Sequence, residues 1–346
     1  MTSILIVTDT WLPQINGVVR TLQHTIACLE EAGISVKLIE PSRFRTLPCP
    51  TYPEIRLSLT TRRRVAALMA DLGCEHVHIA TEGPLGMCAA AAMRARGQRY
   101  STSYHTRFPE YLAARAPIPL GLSYAWLRRF HNRASACMVA TKGMKDALEA
   151  RGFSNLHLWP RGVDTSLFAP NPDPVDPYAH LERPIWLSVG RVSVEKSLPS
   201  FLDLALPGSK VVIGDGPALK TLRAQYPDVA FLGAKTGADL AAHYRAADVF
   251  VFPSRTDTFG LVMLEALASG VPVATFPVTG PIDVIQDGET GILSENLAEA
   301  AMAALNLSRA RCRQFALTRS WQSCTDVFME ILSKSEGFEP PKVLRA

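Results

Sequence analysis

Three features of the chain predict an α/β protein built from two parallel-sheet domains. Short apolar runs alternate with helix-length segments from end to end, the pattern of strands joined through crossover helices. The 346 residues suffice for two domains, each with its own core. A proline-rich stretch at 170–184 breaks the alternation midway and has the character of a linker.

Composition narrows the class. An apolar fraction of 47% with 20% charged residues belongs to a soluble globular protein, and no apolar run reaches the length that spans a bilayer. Residues 4–7 are too short for a signal-peptide core and lack a basic lead-in. The seven cysteines are odd in number and contain no C-x-x-C pair, so reduced thiols in a cytoplasmic protein are expected. The net charge of +4 is unevenly spread: residues 1–165 carry 20 Lys and Arg against 12 Asp and Glu, and the remainder 16 against 20. A basic first half suits an anionic partner. Without zinc-finger spacing, an aromatic ribonucleoprotein motif or a lysine-rich tract, no nucleic acid is expected, and an anionic membrane surface is the stronger candidate.

In chain order, 3–8 reads as the first strand and 18–32 as the first helix. Between them Gln14, Ile15, Asn16 and Gly17 would present backbone donors to an anion at the helix start. Residues 41–60 are proline-rich and read as irregular; Arg62, Arg63 and Arg64 read as a solvated helix start. A strand at 77–80 ends at Glu82, which either reaches the ligand cleft or favours the next helix N-terminus. The strand closing at His105 delivers an imidazole to a proline-containing loop. In 119–133, Leu122, Trp126, Leu127 and Phe130 keep helical spacing while Arg128, Arg129 and Arg133 add charge. That fits a helix lying in a lipid interface and equally a helix packed on its own sheet with partial exposure. Strands at 136–140 and 156–159 complete the first sheet.

The second domain starts with a strand at 185–189, followed by Gly190, Arg191 and, five residues later, Lys196. A forked guanidinium and a point-charge ammonium near one strand end suit a diphosphate. The strand 211–213 runs into Gly214, Asp215, Gly216 and Pro217, a turn. The densest stretch comes next. Residues 249–252 read as a buried strand closed by Pro253, and 261–268 as a helix whose one polar residue is Glu265. Burying that carboxylate without a hydrogen-bond partner is costly, and a hydroxylated ligand would be such a partner. Asp257 stands eight residues earlier, up to about 12 Å away along the axis. Thr258 is expected as N-cap, with the amides of Phe259, Gly260 and Leu261 as donors at the positive helix end.

This string, from Phe252-Pro253-Ser254 through Asp257, Thr258, Phe259, Gly260, Leu261, Glu265 and Ala266 to Ser269-Gly270, resembles the signature of family 4 glycosyltransferases, retaining enzymes of the GT-B fold. The resemblance implies two Rossmann-like domains facing across a cleft, at 1–168 and 169–320, with the terminal helix from 321 returning to the first. It implies that Glu265 holds the ribose hydroxyls of a nucleotide-sugar and Asp257 touches the sugar; Asp257 stands where Glu is usual. Arg191 and Lys196 match the family's diphosphate-binding pair, Gly17 its N-terminal phosphate-approaching loop, and Gly214 a turn near the base. His105, in H-T-R-F-P-x-Y, matches the histidine at the donor sugar and acceptor face. That motif resembles the branch of sulfolipid synthases and bacterial α-mannosyltransferases.

No Asp-x-Asp pair is present and nothing in the sequence calls for a metal or a cofactor. The expected donor is a GDP- or UDP-sugar such as GDP-mannose or UDP-glucose. The expected acceptor is a membrane lipid such as diacylglycerol, met by a cytoplasmic enzyme peripheral to the inner face of the membrane. A soluble sugar acceptor, an epimerase of the same shape and a noncatalytic nucleotide-sugar-binding protein are the competing readings.

Overall fold

The computed structural model describes residues 2–14, 16–49, 52–113, 119–170, 176–257 and 259–339. The chain divides into two compact units, Met1–Pro160 together with Trp321–Ala346, and Arg161–Ser320.

The first unit carries strands β1 (Ser3–Val7), β2 (Ser35–Ile39), β3 (Thr46–Cys49), β4 (Tyr52–Ser58), β5 (His76–Ile79), β6 (Ser101–Tyr104), β7 (Ala136–Val139) and β8 (Leu156–Leu158). Its helices are α1 (Gly17–Glu31), α2 (Arg62–Leu72), α3 (Pro84–Ala95), α4 (Phe108–Ala113), α5 (Leu120–His131) and α6 (Lys142–Glu149). Six strands form a sheet in the order β2-β1-β5-β6-β7-β8, every pair parallel. Ile4, Leu5, Ile6 and Val7 are all buried, as a parallel strand covered on both faces requires.

Residues 41–60, read as irregular, contain the antiparallel pair β3 and β4 with a register shift at Pro48/Cys49. A two-stranded pair outside the main sheet tolerates prolines that a central strand would not. Arg62, Arg63 and Arg64 do open a helix, with the Thr61 hydroxyl accepting from the Arg64 amide at 3.3 Å.

The second unit carries β9 (Ile185–Val189), β10 (Ser209–Ile213), β11 (Ala230–Phe231), β12 (Val249–Phe252), β13 (Val273–Thr275) and β14 (Gly291–Leu293), in the parallel order β11-β10-β9-β12-β13-β14. Helices α7 (Pro199–Leu202), α8 (Leu219–Gln225), α9 (Gly237–Ala246), α10 (Leu261–Ala268), α11 (Pro281–Val284), α12 (Leu297–Ala304) and α13 (Arg309–Leu317) surround it. A core of Trp186, Val192, Phe201, Val249, Val251 and Ala274 fills one side of the sheet.

The boundary falls at 160/161, eight residues before the expected 168. The reason lies in Arg313: its guanidinium donates to the carbonyls of Phe168 at 2.7 Å, Ala268 at 2.8 Å and Thr165 at 2.8 Å. Three carbonyls in part-buried hydrogen bonds thereby tie 161–168 to α10 and α13. The last helix, α14 (Trp321–Glu336), packs within the first unit. Trp321 stacks on His24 of α1 at 4.6 Å, and the Trp159 indole donates to the Cys324 carbonyl at 3.1 Å.

Candidate active site

In an open parallel sheet, ligands bind beyond the carboxyl ends of the strands where the strand order reverses. In the second unit that reversal lies between β9 and β12. The segment after β9 is Gly190 to Lys196, ending in a 3₁₀ turn over Val194–Lys196; the segment after β12 runs from Pro253 to Gly260. Arg191, Lys196 and Asp257 therefore all issue from the two strands that flank the switch.

The two segments are stitched together. The hydroxyls of Ser254 and Thr256 both donate to the Glu195 carbonyl, at 3.4 and 3.2 Å, which fixes the 3₁₀ turn against the loop after β12. The Lys196 ammonium then meets Asp257 Oδ1 at 2.5 Å, with side chains only 25% and 17% exposed. Partial burial strengthens this pair beyond an exposed ion pair. The other carboxylate oxygen, Oδ2, is buried and has no hydrogen-bond partner among the described residues. A buried carboxylate oxygen without a donor is costly; a ligand hydroxyl would supply one.

Gly190 and Gly214 close the floor of this region. A Cβ on Gly214 would lie 1.8 Å from the Gly190 carbonyl oxygen, and the Gly190 amide donates to the Ile213 carbonyl at 3.0 Å. Gly214 is thus glycine because two backbones touch there, which keeps the loops after β9 and β10 flush with the sheet end.

Glu265 lies within α10 and is 6% exposed. Its Oε2 accepts from the Tyr244 hydroxyl at 2.9 Å. Tyr244 is fully buried on α9, edge-on to Phe168 at 5.6 Å. A protein hydroxyl therefore meets part of the hydrogen-bonding demand expected of a ligand alone. Nothing in the sequence marks Tyr244, since the contact spans 21 residues.

The expected cap of α10 is corrected. Its N-cap is Gly260, at φ 84° and without a side-chain cap, and Thr258 lies outside the described residues. The left-handed backbone at Gly260 turns the loop into the helix. Phe259 is buried; Leu261 is the first helical residue. Among the described residues no side chain caps the helix, and the Met263 amide of its first turn donates to the Gly260 carbonyl at 3.0 Å.

The first unit holds Gly17 and His105. Gly17 begins α1, but Asn16 Oδ1 accepts from the amides of Val18 and Val19, both at 3.0 Å. The helix end therefore offers an anion fewer donors than the bare loop suggested. His105 directly follows β6 and lies edge-on to Trp159 at 5.9 Å.

Two buried acid contacts of this unit are not apparent from sequence. Asp9, just beyond β1, accepts from the amides of Leu85 at 2.7 Å and Gly86 at 3.2 Å and from the Thr81 hydroxyl at 3.0 Å. It caps α3 across the switch between β1 and β5. Burial pushes its carboxyl up to about 6, against the pull of those donors. Glu82, for which the sequence leaves two roles open, pairs its carboxylate with His131 Nε2 at 3.0 Å. Burial opposes the His131 imidazolium, but the Cys137 sulfur and Glu82 outweigh it and hold the pKa up at about 10.

The structure brings Arg191, Lys196, Asp257, Gly190 and Gly214 onto one end of the second sheet, with Gly260 and Glu265 on the helix that follows. Two hollows lie elsewhere within the units. One of about 550 Å³ is lined by Glu110, Tyr124, Arg128 and Arg151 among others, and one of about 300 Å³ by Asp176, Arg183 and Arg309 among others. None of the residues proposed for the site lines either.

Comparison with known proteins places this arrangement. The profile of the family described as Glycosyltransferase Family 4 matches residues 15–167, and that of Glycosyl transferases group 1 matches 183–309. A GDP-mannose-dependent alpha-mannosyltransferase of Mycobacterium tuberculosis is 30% identical over 99% of this chain and 98% of its own length. Sulfoquinovosyl transferase SQD2 of Arabidopsis thaliana is 31% identical over 81% of this chain and 61% of its own. The alpha-monoglucosyldiacylglycerol synthase of Streptococcus pneumoniae is 24% identical over 86% of this chain and 77% of its own. In fold, the chain is similar to sucrose-phosphate synthase of Thermosynechococcus elongatus, with a TM-score of 0.75 at 20% identity over 96% of this chain and 99% of that one. Anabaena HepE, solved with UDP and glucose, gives 0.73 at 16% identity over 96% and 100%. With a 30% identical relative aligned along nearly its whole length and family profiles covering both units, the chain belongs to glycosyltransferase family 4 and has the GT-B fold.

Proposed function

We propose that the enzyme moves a hexose from a nucleoside-diphosphate sugar of the GDP-mannose or UDP-glucose type to a hydroxyl of a membrane lipid such as diacylglycerol, with retention of configuration and without a metal. The observation that carries the donor site is the Lys196–Asp257 pair with Asp257 Oδ2 buried and unpartnered among the described residues. That oxygen is suited to accept from a sugar hydroxyl. Lys196 stands beside it, so a diphosphate on the ammonium brings its sugar to the carboxylate.

Arg191 joins Lys196 in offsetting charge on the departing diphosphate, the role a divalent ion fills in metal-dependent transferases. Amides of Phe259, Gly260 and Leu261 add donors, and the glycines at 190 and 214 let the nucleotide approach the backbone. Glu265, steadied by Tyr244, accepts from the ribose hydroxyls. His105 serves at the sugar and acceptor face. The acceptor attacks the anomeric carbon from the face the diphosphate leaves, and a leaving phosphate oxygen takes the acceptor proton.

The lipid acceptor is supported by relatives named for sulfoquinovosyl and glucosyldiacylglycerol synthesis and by the basic first half of the chain. It implies work at a membrane surface. No helix among the described residues is long and apolar enough to cross a membrane.

The test is to incubate the protein with a panel of UDP- and GDP-sugars and lipid extract. The glycosylated product is identified by mass spectrometry and its anomeric configuration by proton NMR. One α-linked glycolipid from one donor is expected. Donor consumption without an acceptor would point to an epimerase, and donor binding without consumption to a noncatalytic protein.

A further inference from the structure

We infer that helix α5 is the face by which this enzyme sits on an anionic bilayer. The helix divides into stripes. Ser123, Leu127, Phe130 and His131 point into the unit and are buried, so packing on the sheet is already satisfied by that side. Leu122 and Trp126 do not join it: they are 66% and 41% exposed. At 100° per residue, positions 122, 126 and 129 share one side of a helix, which places Arg129 on the same outward stripe. Leu120, and Phe108 on the neighbouring α4, add further exposed apolar surface. The two helices are joined by the Tyr124 hydroxyl, which donates to Glu110 Oε1 at 2.6 Å.

Charge selects the occupant. Residues 120–133 contain Arg128, Arg129 and Arg133, all exposed, and no acidic residue. Arg151 adds a fourth cation, lying over the Tyr124 ring at 4.6 Å. Asp146 and Glu149 of α6 pair with Lys142 and Lys145, while Glu110 accepts from Tyr124 through Oε1 and has its Oε2 buried without a partner among the described residues. A leucine and a tryptophan flanked by arginines match a bilayer interface, where the indole sits at headgroup depth and arginine stems run along apolar surface with their heads at the phosphates. A docking protein would need acidic groups facing the same cations with no apolar depth to fill; a bilayer of anionic lipid supplies both charge and depth.

The inference deepens the lipid-acceptor reading and rests on it for its role, yet the experiment separates the two. The full chain is sedimented with phosphatidylcholine vesicles, with and without phosphatidylglycerol. Binding is expected with the anionic vesicles alone and is expected to weaken with salt. Leu122→Ser with Trp126→Ser is expected to lower partitioning on the order of tenfold, and Arg129→Ala with Arg133→Ala by roughly ten- to thirtyfold, about fivefold per arginine. Circular dichroism melting checks that each variant stays folded. Each variant is also assayed on a short-chain, water-soluble diacylglycerol, where turnover is expected to equal that of the parent. Lack of turnover by the parent on that acceptor would count against the acceptor reading alone. Vesicle binding unchanged in both variants, equal binding to neutral vesicles, or a dimer that the Leu122/Trp126 variant makes monomeric while vesicles go unbound would each overturn the assignment.

Discussion

Lys196 Nζ lies 2.5 Å from Asp257 Oδ1, joining the turn after β9 to the loop after β12 across 61 residues. The relationship makes two roles inferred separately interdependent: the cation for the diphosphate is held by the acid for the sugar. Asp257→Asn keeps the size and one oxygen but removes the charge that orients the ammonium. Turnover is expected to drop by about 10² to 10³, as on losing one preorganised group. Steady-state kinetics with donor and lipid would check this, and a variant as fast as the parent would detach Asp257 from the chemistry.

Tyr244→Phe removes the donor to Glu265 Oε2 and leaves the ring in place. The expected result is a weaker grip on the nucleotide, seen as a raised donor KM with kcat little altered. The stability cost is expected at about 1 to 3 kcal/mol, since the carboxylate stays buried with one donor fewer. Unchanged kinetics would detach the pair from nucleotide binding, and an unshifted melting temperature would contradict the buried contact.

Gly214→Ala tests the close packing of the loops after β9 and β10. Its methyl carbon would lie 1.8 Å from the Gly190 carbonyl oxygen, so backbone must move. A loss of about 3 kcal/mol is expected, or roughly 6 to 12 °C in the melting of a unit this size. An unshifted melting curve would contradict the contact.

Asp9 gives the fold a pH signature. Its carboxyl is raised from 3.8 to about 6, chiefly by burial, so folding takes up a proton between those values. The stabilisation from protonated Asp9 is complete below about pH 4 and is lost as pH rises through about 6, amounting to roughly 3 kcal/mol. Melting temperature plotted against pH should therefore rise less, or fall more, between pH 4 and 6 in the parent than in Asp9→Asn. Parallel curves would mean that Asp9 does not titrate as described.

Much of this was legible in the sequence for a physical reason. Strands covered on both faces read as apolar runs, so β1, β9 and β12 stand out, and the switch-point rule then puts Gly190, Arg191, Lys196 and Asp257 at one sheet end. Local patterns could not show contacts made by chain segments far apart in sequence. Tyr244 reaches Glu265 across 21 residues and Asp9 reaches Leu85 across 76. The opening of α10 departs from the expected Thr258 cap because a left-handed glycine, Gly260, turns the chain into the helix. Leu122 and Leu127 both keep helical spacing in 119–133, yet one faces outward and the other is fully buried; spacing alone does not separate the faces of a short helix. The β3–β4 pair was missed because its prolines argued against strands that only a separate two-stranded pair accommodates.

The measurement closest to the centre of the account is calorimetric titration of GDP and of UDP into the parent protein and into Lys196→Ala. One of the two nucleotides is expected to bind the parent, and the variant is expected to bind it about 10 to 100 times more weakly, the worth of a charge-assisted contact to phosphate. Equal affinity in a folded variant would contradict the placement of the diphosphate at the Lys196–Asp257 pair.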